Sequence, residues 1–388
     1  MGRGSLCESS GCALAKTGSG WTEVEVGGRY ETTRLLLVGE APGENEIRES
    51  LPSRPHSQLG SFLSDALRQT NISRGEIAIT DVVRCRSPKD WLIGAPWQYN
   101  AISHCTTNYL HSVIEELKPK AILAMGDTAF RTLASVPKGK YSQLDYARGY
   151  VVHGAGAATG IPVIGTYAPK AIRMGSAHLT PLFNRDLRRA FLLATGKLVE
   201  GKHYALDLST LGLNYQTAPT IEEAWEFYRN LDPNLPIAYD IETPLSSRSD
   251  EEDRTSFVDR DIKLFQATQK RREGIALPWR DEYIDVAKAI MATSLPKVGH
   301  NSFAFDEPVL ENNDVIINGT RDDTMVMFGS YWSDLPRNLQ AATQMCGFEF
   351  PWKSMNETDL AFYGVADVDA TLCIYDHMTK VLSGEVIA

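Results

Sequence analysis

Short apolar runs and helical-period segments alternate along the first half of the chain. Within RLLLVGE, residues 35–38 are consecutively apolar and lead into the Gly/Pro turn APGE, so the segment reads as a buried strand. EIAITDVV, PKAILAMG and IPVIGTY read as further strands. Between them, QLGSFLSDALRQT, DTAFRTLASV and the long stretch QYNAISHCTTNYLHSVIEELK carry apolar residues at helical spacing. Strands alternating with helices predict an α/β domain with a parallel sheet covered on both faces. TPLFNRDLRRAFLLATG closes it as a helix with a basic face and Gly196 near its end.

Residues 197–215 read as a linker, which divides the chain into domains at 1–196 and 216–388. The second domain opens on TIEE, where Thr220 and Glu223 have capping-box spacing. PIAYDIET, IKLFQAT and EGIALPW then read as strands, EYIDVAKAIMATS as a helix and PKVGHN as a short strand. The acidic stretch SDEEDRTSFVDRD reads as a solvated loop. There is no internal repeat and no low-complexity segment.

The 388 residues fit two domains, and 43% hydrophobic residues suffice for two cores. No apolar run approaches the roughly 20 residues that span a bilayer. The N-terminus MGRGSLCESSGC lacks an apolar signal core, so the expectation is a soluble, cytoplasmic protein. The net charge of −10 is unevenly spread. Residues 1–200 hold 23 Lys+Arg against 18 Asp+Glu, and the remainder holds 16 against 31. The mildly basic half could meet phosphates; the acidic half would repel nucleic acid unless cations offset its charge.

The second half carries the sharper chemistry. Asp240 and Glu242 sit two apart in an apolar strand, so their carboxylates share a face. Like charges so close call for a cation, and a hard divalent metal fits oxygen ligands. Asn301 and Asp306 lie in GHNSFAFDEPVL. Tyr363 and Asp367 lie at i and i+4 in YGVADVDATL, on one side of a helix. Four carboxylates from three segments can hold two ions that stabilise the attacking and leaving oxygens of a phosphodiester. The ordered motifs D-x-E, N-x(2–3)-[FY]-D and Y-x(3)-D, with DDTM at 322–325 between the last two, resemble the tyrosine subtype of the DEDD-class 3′–5′ exonucleases. That resemblance covers about residues 205–385. It implies a ribonuclease H-like mixed α/β fold, two Mg²⁺ or Mn²⁺ on Asp240, Glu242, Asp306 and Asp367, a water-positioning Tyr363, and Asn301 orienting the second motif. Asp369 reads as a helix-surface charge, His300 as strand-end packing, and Cys346 and Cys373 as core.

Cys7, Cys12, Cys85 and Cys105 form two pairs separated by a strand–helix–strand unit. Spacing alone leaves zinc, an iron–sulfur cluster or ordinary buried thiols open. The neighbouring VGEAPGENE, TDVVRCRSPKD and TYAPKAIR resemble the family 4 type of uracil-DNA glycosylase over about residues 5–195. This resemblance implies a uracil-DNA-glycosylase-like fold with a [4Fe-4S] cluster on the four cysteines. It also implies a base pocket containing Gly39, Glu40, Pro42, Gly43, His56, Asp81 and Ala168, with Glu40 near the attacking water. Three positions depart from the family: Asp81 replaces the uracil-reading Asn, His56 the base-stacking Phe, and Ala168 the His that stabilises the departing base. An ionised acid cannot donate to a uracil carbonyl, and a lost charge-stabilising donor costs roughly 10²–10³ in rate. Impaired uracil excision with retained DNA binding is therefore expected. Arg173, Arg185, Arg188 and Arg189 are candidate phosphate contacts or a solvated helix face.

The two resemblances in tandem look like the front of phage-type family A DNA polymerases. They imply a replication or repair protein acting on DNA, single-stranded 3′ ends above all, with a DNA polymerase subunit as a possible partner. A bifunctional glycosylase–nuclease and a non-catalytic accessory module are the alternatives.

Overall fold

In the computed structural model the described residues are 7, 12, 14–15, 20–28, 33–55, 57–90, 92–136, 143–244 and 261–385. Nearly all of the acidic loop lies outside them, as does His56. The chain divides into two compact units, Met1–Leu206 and Asp207–Ala388.

The first unit is built on a six-stranded sheet. Its strands are β1 (Glu25–Val26), β2 (Leu35–Gly39), β3 (Ile77–Asp81), β4 (Ala121–Met125), β5 (Val151–His153) and β6 (Pro162–Thr166), in the order β1-β3-β2-β4-β6-β5. The central β3, β2, β4 and β6 are parallel, as the strand–helix alternation requires. The two edges, β1 and β5, pair antiparallel, so the sheet is mixed rather than wholly parallel. Both edges are too short to leave an apolar signature. Alternation along β2 explains its continuous apolar run. Leu36 and Val38 face a core with Ala101, Ile114 and Phe130; Leu35 and Leu37 face another with Phe62, Leu67, Phe183 and Leu187. The helix Gln58–Thr70 is capped by Ser57, whose hydroxyl accepts from the Gly60 N–H, and it packs on the second core beside Thr180–Ala194. The segment expected as one long helix is Gln98–Cys105, a π turn at Thr106–Leu110 and His111–Leu117. Leu198, Tyr204 and Leu206 pack against the second core, so the start of the expected linker belongs to this unit.

The second unit has a mixed sheet of β7 (Asn214–Gln216), β8 (Ile237–Glu242), β9 (Leu264–Thr268), β10 (Glu273–Pro278), β11 (Lys297–Gly299) and β12 (Arg321–Asp323). Their order is β12-β11-β8-β9-β10-β7. β9 runs antiparallel to β8 and β10 on either side of it, and the outer neighbours run parallel to the strand they join. Ile237, Tyr239 and Ile241 of β8 face one core with Val286, Ile290 and Val309. Ala238 faces the other side, against Val365, Val368 and Leu372 of the long helix Leu360–Leu382. Asp240 and Glu242 share that side with Ala238 by strand period. Thr220 and Glu223 form the expected capping box. Asp369 is a correction. It is fully buried, not a surface charge, and accepts from Tyr215 Oη at 2.5 Å, Arg271 Nε at 2.6 Å and the Arg272 N–H at 3.0 Å. Helix periodicity could not show this, because the arginines come from the β9–β10 connection. Among the described residues no helix is long and apolar enough to cross a membrane.

Candidate active sites

In the second unit, β8 and the helix Leu360–Leu382 bring separated carboxylates together. Ligand oxygens of Asp240, Glu242 and Asp367 all lie within 4.8 Å of one another. Close approach of helix and sheet makes this possible. A Cβ on Gly364 would sit 2.4 Å from Gln266 Nε2, and Gln266 is the cross-strand partner of Asp240. Asp306, at the start of the helix Asp306–Asn312, is outside that trio. Its Oδ1 accepts the Ile241 N–H at 3.2 Å, and its charge acts on Asp240.

The cluster is electrostatically strained. Burial, then repulsion from Asp306, Glu242 and Asp367, holds the Asp240 carboxyl well above its usual range. Burial and Asp367 push Glu242 up to about 8, against the pull of Lys353. Burial likewise brings Asp306 up to about 7. Burial and the surrounding carboxylates raise the Tyr363 hydroxyl, so it stays protonated.

Two functional residues lie outside the sequence motifs. Lys353 Nζ donates to Tyr363 Oη at 2.9 Å and to both oxygens of Asp367, at 2.9 and 3.1 Å. The indole N–H of the fully buried Trp352 donates to Asp367 Oδ1. The dipeptide WK precedes the third motif by ten residues, with no pattern to mark it. Asn301 takes part through its backbone. Its φ is +64°, and its N–H donates to Asp323 Oδ1 at 2.9 Å. Asp323 also accepts from the Met325 N–H at 2.8 Å, so the DDTM segment anchors the loop before Asp306. His300 sits beside it, Nδ1 2.8 Å from Thr324 Oγ1.

In the first unit, the turn after β2 opens a cavity of about 560 Å³. Gly39, Glu40, Pro42, Gly43, Asp81 and Ala168 line it, with Arg173 among the lining residues. The turn is held by the Val82 and Val83 N–H groups, which donate to the Gly39 and Glu40 carbonyls at 2.9 and 3.0 Å. Gly39 is required by space: a Cβ there would lie 2.3 Å from Asp81 Oδ1. Glu40 accepts from Thr128 Oγ1 at 2.8 Å. Burial, then Glu46 and Glu40, raises the Asp81 carboxyl to about 7, so near neutral pH a sizeable fraction is protonated. Of the candidate phosphate contacts, Arg173 and Arg188 are exposed, and Arg189 donates to the His203 carbonyl at 2.6 Å. Arg185 is half-buried on the same helix as Arg188.

Cys7, Cys12, Cys85 and Cys105 are all buried, and none of them is in a disulfide. They converge. Burial, then the charges of Cys85, Cys12 and Cys7, pushes the Cys105 thiol up to about 12. Tyr109 Oη lies 2.9 Å from Cys7 Sγ, and the Arg84 guanidinium sits 5.0 Å from the Tyr109 ring centroid.

Residues 28–192 match the family model of the Uracil DNA glycosylase superfamily. A type-4 uracil-DNA glycosylase of Thermotoga maritima is 32% identical over 170 residues, 44% of this chain and 82% of the relative. The chain belongs to the uracil-DNA glycosylase superfamily. A type-4 glycosylase of Pyrobaculum aerophilum is 29% identical over 157 residues, 40% of this chain and 76% of its own length. Among solved structures, RNase D of Escherichia coli is similar over 44% of this chain and 45% of its own, at 17% identity and a TM-score of 0.32. RNase D of Trypanosoma brucei bound to RNA U12 is similar over 43% and 63%, at 17% identity and a TM-score of 0.31. The matched segment contains Cys85, Cys105 and the Asp81 cavity; Cys7 and Cys12 precede it within the same compact unit, and the carboxylate cluster lies in the other unit.

Proposed function

We propose that the chain is a DNA-processing enzyme whose working site is the second unit, a metal-dependent 3′–5′ exonuclease. The convergence of Asp240, Glu242 and Asp367 within 4.8 Å carries this reading. An all-oxygen set in which burial and repulsion raise the proton affinity of Asp240 and Glu242 suits a hard divalent ion, and the two cations that act on Glu242, Lys353 and Lys263, are outnumbered by the three carboxylates of the cluster. Asp240, Glu242 and Asp367 would hold Mg²⁺ or Mn²⁺, with Asp306 beside them and room for two ions once a substrate phosphate adds its oxygens. Such ions supply charge stabilisation for the attacking and leaving oxygens. The chain's own groups do the rest. Tyr363 presents a protonated hydroxyl to the attacking water, and Trp352 and Lys353 fix the Asp367 carboxylate. Asp323 holds the loop that leads to Asp306. The product is a nucleoside 5′-monophosphate released stepwise from a 3′ end.

The glycosylase-superfamily unit would guide DNA, with Arg173 and Arg188 as accessible phosphate contacts. Its crowded thiols, Cys7, Cys12, Cys85 and Cys105, would hold a [4Fe-4S] cluster, which their burial and mutual charge support. Ala168 removes a donor to the departing base, so uracil excision would be slow. The second reading, real glycosylase activity, is favoured by Asp81. Near pH 7 its partly neutral carboxyl can donate as an amide does.

The test is a 5′-labelled single strand with Mn²⁺, in wild type and Asp240→Ala. The expected result is a ladder of 3′-shortened products from wild type alone. Intact DNA with both Mg²⁺ and Mn²⁺ would overturn the nuclease reading. A single deoxyuridine added to the strand tests the second reading through alkali-sensitive breaks retained in Asp240→Ala.

A further inference from the structure

Lys353 stands where a carboxylate cage would otherwise accept a cation. A carboxylate oxygen has two lone pairs. Asp367 Oδ1 already receives the Trp352 indole N–H and Lys353 Nζ, and Oδ2 receives Lys353 at 3.1 Å. Oδ1 is thus filled, and the remaining lone pair of Oδ2 can take either the Tyr363 hydroxyl, which also acts on Asp367, or one ion. Lys353 has donors only, so in the 2.9 Å contact Tyr363 Oη must accept, and its proton points away from the ammonium, toward Asp367 until an ion takes that oxygen. The ammonium lies 4.7 Å from the Tyr363 ring centroid and 5.1 Å from that of Trp352, so two aromatic faces hold it in place.

Resting on the metal-cage reading above, we propose that Lys353 is a built-in cation of this site. It covers one side of Asp367, fixes the Tyr363 hydroxyl as a donor to the attacking water, and limits the nucleic-acid-free cage to one divalent ion. The second ion then enters only with the phosphate oxygens of a bound strand. The pull of Lys353 on both Asp240 and Glu242 is in keeping with this charge-sharing role.

The test is a Mn²⁺ titration of the full chain, reading free Mn²⁺ by electron paramagnetic resonance, with Asp240→Ala as the subtraction. Wild type and Lys353→Arg are expected to bind one Asp240-dependent ion, and Lys353→Met two. At saturating Mn²⁺, Lys353→Met should release 3′ nucleotides about 10²–10³-fold more slowly, and Lys353→Arg should restore part of that loss. Two Asp240-dependent ions in wild type, or one in Lys353→Met, would overturn the role of Lys353 and leave the nuclease reading standing. No Asp240-dependent ion in any variant would sink the cage and this proposal together.

Discussion

Asp240→Asn should make the metal-free second unit more stable while abolishing its chemistry. Three carboxylates have oxygens within 4.8 Å of one another. Two full charges at that distance repel by about 3 kcal/mol at an effective dielectric constant of about 20. The native site escapes part of this by keeping a proton on Asp240, so the net gain from the amide is about 1–3 kcal/mol. For a unit of this size each kcal/mol moves the melting temperature by about 2–4 °C. The pH dependence follows from the sign of the shifts. The folded site binds protons more tightly than the unfolded chain, since Glu242 rises from 4.5 to about 8 and Asp306 from 3.8 to about 7. Stability from these groups is therefore greatest below about pH 4 and falls as pH climbs through 8. The advantage of Asp240→Asn must grow over the same range. Calorimetry in EDTA from pH 5 to 9, resolving the two units, measures it. Mn²⁺ should raise the wild-type transition and leave the variant's unchanged. A variant that melts below wild type in EDTA at pH 8, with its fold intact by circular dichroism, would refute the reasoning.

Gly364→Ala should lower stability by about 1–3 kcal/mol in urea and slow nucleotide release, since its Cβ meets Gln266 Nε2 at 2.4 Å. Adding Gln266→Ala should recover much of both, because the obstruction is one side-chain end. A uracil-bearing strand in EDTA should bind better at pH 6 than at pH 8.5 relative to its thymine twin, by fluorescence anisotropy, as Asp81 becomes a donor below about pH 7. Asp81→Asn should erase that dependence. Cys105→Ser should lose the absorbance near 400 nm and the iron that a cluster would give; a wild type lacking both would remove the cluster from the proposal. Arg148→Met should cost about 3–5 kcal/mol in urea unfolding, because it leaves Asp186, almost wholly buried, without its partner at 2.7 Å.

What was legible in the sequence follows the range of the forces involved. The apolar run at 35–38 and the helix 58–70 could be read locally, because burial on both faces and a 3.6-residue period leave marks along the chain. Edge strands β1 and β5 left none: they are two and three residues long and need only one neighbour. The convergence of Asp240, Glu242 and Asp367 was legible because the metal site proposed for them would demand fixed residue types at fixed spacing. Lys353 and Trp352 were not, since any donor arriving from any loop could serve Asp367. The burial of Asp369 was hidden for the same reason, its partners Arg271 and Arg272 lying about a hundred residues earlier.

Both units place acids in buried, mutually repelling groups, and the difference between them lies in what answers the repulsion. Around Asp240 and Glu242, an ammonium from Lys353 offsets only part of the repulsion, and the proposed divalent ions would supply the rest and let the acids work ionised. Around Asp81, the charges that act are Glu46 and Glu40, both negative, so a proton is the available relief. A carboxyl that keeps its proton is an O–H donor beside a carbonyl acceptor, the pattern an amide presents to a uracil edge. Replacing Asn by Asp therefore need not change which edge the pocket reads in mildly acidic solution; it makes that reading depend on pH. Ala168 brings no such compensation, since a methyl can neither donate nor carry charge. The defect expected in uracil excision then belongs to the step in which the base departs, and binding of the base can survive it.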